Sequence, residues 1–165
     1  MQYIIDSNIF IQAKNRDYPF EFFPGIWEWF DQKIVCHDFL LLKPVYDELS
    51  SGNDSLADWV TQYRSYVTDL NESCYRQIGI IVEHVRTTYP DPKYWPGFLD
   101  VADAKLIAYV TANQSVIVTN ELAKIGCKKP KIPAVSAAVG VKCLSLLELF
   151  QETQPKFVLQ NDAAI

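Results

Sequence analysis

Four carboxylates, Asp6, Glu48, Asp103 and Glu121, each stand beside an apolar run of the chain. A charge facing apolar surroundings without compensation is costly, and a cation shared by all four removes that cost. Gathered in one cleft, the four repel one another and raise each other's pKa values. Hard divalent ions reverse this. Mg2+ takes oxygen ligands and keeps several waters, so a few carboxylates suffice and a phosphate supplies the rest. A metal so held activates water near neutral pH and stabilises charge on a leaving oxygen. The chemistry this set points to is hydrolysis of a phosphodiester.

The elements that must position these acids follow from apolar periodicity. Residues 3–5 form a short β-rich run ending at Asp6, and Ser7 is a candidate cap for a helix carrying Ile9, Phe10 and Ile11. Residues 16–30 are dense in aromatics (Phe20, Phe22, Phe23, Trp27, Trp29, Phe30), which predicts a packed loop and a short helix. That segment reads first as core cover and second as a partner-binding surface. Residues 39–42 are a continuous apolar run, as in a buried parallel strand.

Pro44 opens the next helix and Gly52 stops it. On that helix Val45 and Leu49 share a face; Glu48 lies about 60° from Val45, and Asp47 about 160° from both, at the helical 100° per residue. Glu48 is therefore the expected inward acid and Asp47 the solvent-facing one. Two helices are expected over 55–69 and 71–88, then a proline-rich loop over 89–97. A helix starts near Asp100 and Asp103, either of which suits an N-cap or first-turn position. Val116, Ile117 and Val118 form a buried strand ending at Thr119, Asn120 and Glu121. A last strand is expected over 141–144 and a last helix over 145–152. Residues 1–152 read as one domain and 153–165 as a polar, frayed tail.

Strands alternating with helices predict a three-layer α/β/α fold around a central, mostly parallel sheet. In such sheets ligands bind beyond the carboxyl ends of the strands. Asp6 and Glu121 are expected at such ends, with Glu48 and Asp103 beginning the helices around them.

The bulk properties narrow the function. The 165 residues fit one domain, and a 49% hydrophobic content supplies a sizeable core. No apolar stretch reaches the ~18 residues of a membrane helix, and the start lacks a basic n-region, so a cytoplasmic setting is expected, with no membrane partner. A net charge of −5 argues against a broad electrostatic grip on phosphate, though not against an enzyme that brings its own divalent cations. Lys124, Lys128, Lys129 and Lys131 form a local exception, read first as a solvated loop. Cys36, Cys74, Cys127 and Cys143 lack any C-x-x-C spacing and read as scattered buried thiols. Only His37 and His84 are available as imidazoles, which disfavours an imidazole-rich zinc site; nothing places them together as the acid and base of a metal-free ribonuclease.

Four strings carry a resemblance. Ile4-Ile5-Asp6-Ser7-Asn8-Ile9-Phe10-Ile11 resembles the opening of PIN domains, a hydrophobic strand running into D-[ST]-N and a hydrophobic helix. Val45-Tyr46-Asp47-Glu48-Leu49 is similar to that family's second acid, and Ala102-Asp103-Ala104-Lys105-Leu106-Ile107-Ala108 to its third acid and small-residue helix. Val116-Ile117-Val118-Thr119-Asn120-Glu121 is similar to its fourth element, a strand ending in T-x-D, with Glu in place of the usual Asp. The match spans residues 2–145 in the family's order, although the helical region 55–96 is longer than in the smallest PIN toxins.

The resemblance implies a compact α/β/α fold and a Mg2+- or Mn2+-dependent ribonuclease acting on RNA. Many bacterial members are toxins of VapBC-type pairs, often homodimeric and silenced by a protein antitoxin. By that similarity Asp6, Glu48 and Asp103 would hold metal, and Glu121 would bind a second ion or act through water. Asn8 and Thr119 would support the site by hydrogen bonds. Three alternatives stand beside it: a catalytically idle binding module, a DNA-directed nuclease, and a phosphatase or phospho-receiver on a similar sheet. A haloacid-dehalogenase-type phosphatase needs an Asp two residues after the first; position 8 is Asn.

Overall fold

The computed structural model describes residues 1–100, 102–122 and 126–158. Its centre is strand β1 (Tyr3–Ile5), three apolar residues that are all buried. β1 pairs in parallel with β2 (Phe39–Leu42) on one side and with β4 (Val116–Val118) on the other. β3 (Val67–Thr68) extends the sheet beyond β2, and β5 (Cys143–Leu144) beyond β4. The order is β3-β2-β1-β4-β5, parallel throughout. Because helices cover both faces, the inner strands lack polar alternation and read as unbroken apolar runs.

Helices surround the sheet. Helix α1 (Ser7–Gln12) runs into a π-helical turn at Ala13–Asp17. It is followed by α2 (Pro24–Val35), α3 (Lys43–Ser50), α4 (Ser55–Thr61) and α5 (Glu72–Thr88). Then come α6 (Pro96–Leu99), α7 (Ala102–Asn113), α8 (Ile132–Ala138) and α9 (Leu146–Thr153). On one side of the sheet Tyr3 and Phe39, partners in register, meet edge to face; Phe39 also meets Trp29 of α2, which in turn meets Phe150 of α9. α7 packs against β4 and along α5.

Several expectations change. Asp6, not Ser7, occupies the N-cap of α1. The aromatic helix runs Pro24–Val35, longer than foreseen, and buries Trp27, Trp29 and Phe30 while leaving Phe22 exposed. The 55–69 segment breaks at Thr61: a 3-10 turn at Arg64–Tyr66 feeds β3, which residue pattern hides because it is two residues long. The 89–97 loop holds a 3-10 turn at Pro92–Tyr94 and the start of α6. Asp100 caps the C-terminus of α6 rather than opening α7. α8 was not foreseen. Glu48 lies in the last turn of α3 instead of its start, whereas Asp103 does sit in the first turn of α7.

Cys74 is buried but Cys36 is exposed, and all four cysteines are free. In the tail, Phe157 sets its ring against Trp29 and Phe150. Among the described residues no helix is long and apolar enough to cross a membrane.

Candidate active site

Strand order reverses direction at β1: the chain moves first to β2 and later returns to β4 on the opposite side. The carboxyl ends of β1 and β4 therefore open a crevice, the place where parallel sheets bind ligands. Asp6 leaves β1 there, its N–H still bonded to the Val118 carbonyl at 2.9 Å. Thr119 leaves β4 beside it, its N–H bonded to the Leu144 carbonyl at 2.8 Å. The ladder thus continues one step past the strands and fixes both backbones.

The Asp6 carboxylate is 3% exposed. Its Oδ2 accepts from the Thr119 hydroxyl at 2.8 Å and from the Asn8 side-chain amide. Thr119 Oγ1 also accepts from Asn8 Nδ2 at 3.0 Å and from the Glu121 N–H at 3.1 Å. One donation and two acceptances exhaust a hydroxyl, so the proton of Thr119 is committed to Asp6. Asn8 Oδ1 accepts from the Asn120 N–H at 3.1 Å, which sets the amide's orientation. Asn8 and Thr119 therefore support Asp6 by hydrogen bonds, the arrangement expected from the sequence. Asp6 Oδ1 receives a long contact from Ser7 Oγ at 3.4 Å.

Burial pushes the Asp6 carboxyl up to about 6, against the pull of the Thr119 hydroxyl, with the Glu121 charge adding to the rise. Burial also pushes Asp103 up to about 7, helped by the charges of Asp6 and Glu121. Among the described residues no hydrogen-bond donor reaches the Asp103 carboxylate. Both acids are therefore held in surroundings that disfavour their own charge.

A cleft of about 530 Å³ opens over these groups, lined by Asp6, Asn8, Glu48, Asp103 and Glu121. Asp47 and Asp100 line it too, with Lys105. Glu48 is exposed, not inward, because Val45 and Leu49 take the core-facing positions and leave it on the flank over the cleft. Asp47, expected to face away, shares that rim and is paired with Lys43 at 2.9 Å. His37 and His84 do not line the cleft.

Glu121 has a different environment. One oxygen pairs with the Lys131 ammonium, and the other accepts from the Ile132 N–H at 2.9 Å, where α8 begins. Lys131 is thus no free member of a solvated lysine loop; Lys128 and Lys129 remain exposed, and Lys124 lies outside the described residues. Two supporting residues went unread in the sequence. Lys131 gave no local signal, since its partner is ten positions away. Asn120 joins three elements, donating to Gln12 Oε1 at 3.1 Å and accepting from the Leu146 N–H at 3.3 Å.

The donor set is all oxygen, anionic and partly uncompensated at Asp103, which suits a hard divalent cation. Among the described residues, however, no three His, Cys, Asp or Glu side chains converge tightly enough to grip one ion. The carboxylates share a cleft without forming a closed cage.

Comparison with known proteins agrees with this architecture. Residues 3–157 match a family model described as a domain of unknown function, DUF4411. Comparison with curated proteins yields no match. Among solved structures, the chain is similar to one of VapBC2 from Rickettsia felis bound to a DNA fragment from their promoter. The identity is 14%, the TM-score 0.56, and the overlap covers 88% of this chain and 98% of the other. It is also similar to one of VapBC-1 from nontypeable Haemophilus influenzae, at 17% identity and TM-score 0.52, again over 88% and 98%. At these identities the likeness concerns fold. The chain belongs to the DUF4411 family, and its five-stranded parallel sheet with flanking helices is a PIN-like, VapC-type fold.

Proposed function

We propose that this chain is a Mg2+- or Mn2+-dependent endoribonuclease and the toxin of a pair controlled by a protein antitoxin. The observation that carries the reading is the cleft at the strand ends, lined by the oxygen ligands Asp6, Glu48, Asp103 and Glu121, with burial raising the Asp6 and Asp103 carboxyls. Its position at the strand switch point and the fold's likeness to VapBC structures support it.

Asp6, Asp103 and Glu48 would hold the ion, with Glu121 on the same cleft. Bound there, the ion supplies Lewis-acid activation of water and neutralises charge developing on the phosphodiester. The chain's own groups do the positioning. Thr119 and Asn8 lock one Asp6 oxygen, Oδ2, in place. Glu48, exposed on the rim of the same cleft, would add a third carboxylate to the set. Lys105 offers the cleft a cation for a substrate phosphate. The antitoxin would be a second protein chain, as the likeness to VapBC structures suggests.

The test is cleavage of single-stranded RNA by the purified chain with Mn2+, against EDTA and against Asp6→Ala, with single-stranded DNA as a parallel substrate. Metal-dependent RNA cleavage lost in both controls is expected. Full activity in EDTA or in Asp6→Ala rejects the reading, and preference for DNA replaces RNA as the substrate.

The open arrangement of the acids and the engaged state of Glu121 favour one second reading, a catalytically idle module that binds a protein partner. Absence of Mn2+ binding by calorimetry, together with a stable protein partner, would establish it.

A further inference from the structure

Glu121 is the acid at which the cleft differs most from a plain ring of carboxylates. Both of its oxygens are taken: one by the Lys131 ammonium, the other by the Ile132 N–H at 2.9 Å. Its backbone is fixed as well, since its own N–H is bonded to Thr119 Oγ1 at 3.1 Å. Glu121 therefore cannot swing into the cleft without breaking an ion pair and stripping a helix start of its acceptor.

Lys131 is placed to serve more than one acid. Its side chain is 39% exposed, and that of Glu121 18%, so the pair is shielded from full solvent screening. Its charge also favours ionisation of Asp103, so the ammonium lies within electrostatic reach of that carboxylate. A second divalent ion near Glu121 would stand next to this fixed positive charge and be repelled by it. Asp6, in contrast, is held by neutral donors alone.

We propose that Lys131 fills the place of a second metal ion, so that the cleft binds one divalent cation, on the side of Asp6, Asp103 and Glu48. This rests on the metal-dependent reading above. Lys131 is a positioning residue: it ties Glu121 down and supplies the charge that a second ion would bring. The longer side chain of Glu121 then has a physical reason, because it is the added methylene that lets the carboxylate reach over to the Lys131 ammonium and the Ile132 N–H.

Counting Mn2+ ions bound to the intact chain, by calorimetry and by the loss of free-ion paramagnetic resonance signal, tests this. Wild type should bind one ion per chain. Lys131→Met should bind two, the second at Glu121, and Lys131→Arg should restore the count to one. Two ions in wild type, or one in a folded Lys131→Met chain, overturns the inference. No ion in any of these proteins instead removes the metal-dependent reading, and the inference with it. The wild-type count decides the matter even if the Met variant does not fold.

Discussion

The two strand ends that frame the cleft hold their carboxylates by opposite means. At the end of β1, Asp6 is buried and steadied by a hydroxyl and an amide, both neutral. At the end of β4, Glu121 is paired with a lysine and bonded to a helix N–H. Hydrogen bonds from neutral donors orient Asp6 without matching its charge, so burial still wins and its carboxyl rises to about 6. Asp103, beside it and without a donor among the described residues, rises further, to about 7. The difference teaches where an outside cation is needed. The β1 side is oriented but uncompensated, whereas the β4 side already contains its cation.

Variants that break this contrast have effects of graded size. Asp6→Ala removes the oriented ligand altogether; RNA cleavage should fall by at least ~100–1,000-fold, the scale on which removing one preorganised charge-stabilising group is felt. A steady-state assay with a fluorescent oligonucleotide checks it, and activity within tenfold of wild type would be the wrong result. Thr119→Val keeps the shape but removes the 2.8 Å hydroxyl bond to Asp6 Oδ2, which pushes that carboxyl higher still. Activity should drop ~10–100-fold, as for other loss of support behind a ligand, and Thr119→Ser should restore it. An unchanged Val variant would mean that the hydroxyl does not orient Asp6.

The smaller effects concern stability. For both Asp6 and Asp103 the folded carboxyl titrates above its ordinary value of 3.8, so between about pH 4 and 7 the folded state holds protons that the unfolded state has lost. Metal-free stability should therefore be greatest near and below pH 4 as far as these two groups decide it, and should be lost as pH rises through 6 and 7. Urea unfolding across that range measures the slope, and saturating Mn2+ should flatten it. Asp103→Asn should raise metal-free stability at pH 8 by about 1–3 kcal/mol, because the amide carries no charge to bury, while abolishing cleavage. A destabilised Asn variant would place Asp103 outside the repelling group.

The core of this comparison was readable in the chain, and its asymmetry was not. The run from Ile4 to Asn8 announces a strand, an acid and a helix start by local pattern alone, and Asn8 and Thr119 stand against Asp6 as expected. Helix angle turned Glu48 inward and Asp47 to solvent, but both are exposed and line the cleft, because a rim position takes both neighbours. Lys131 was lost among other lysines, since its meaning lies in a contact to Glu121 across the β4 end. α8 escaped notice because its seven residues, Ile132–Ala138, hold no charge and so show no polar face. β3 escaped because a two-residue edge strand is specified by its partner Leu41–Leu42 more than by itself. Local pattern carries the ligands; the third dimension carries their charge balance.

The most direct measurement is the thermal midpoint of the intact chain with and without Mn2+ at pH 7.5, for wild type and for the Asp6→Asn, Asp103→Asn double variant. A divalent ion bound by these carboxylates should raise the wild-type midpoint by several degrees and leave the double variant where it was. Equal shifts in both proteins, or no shift in wild type, would contradict the account.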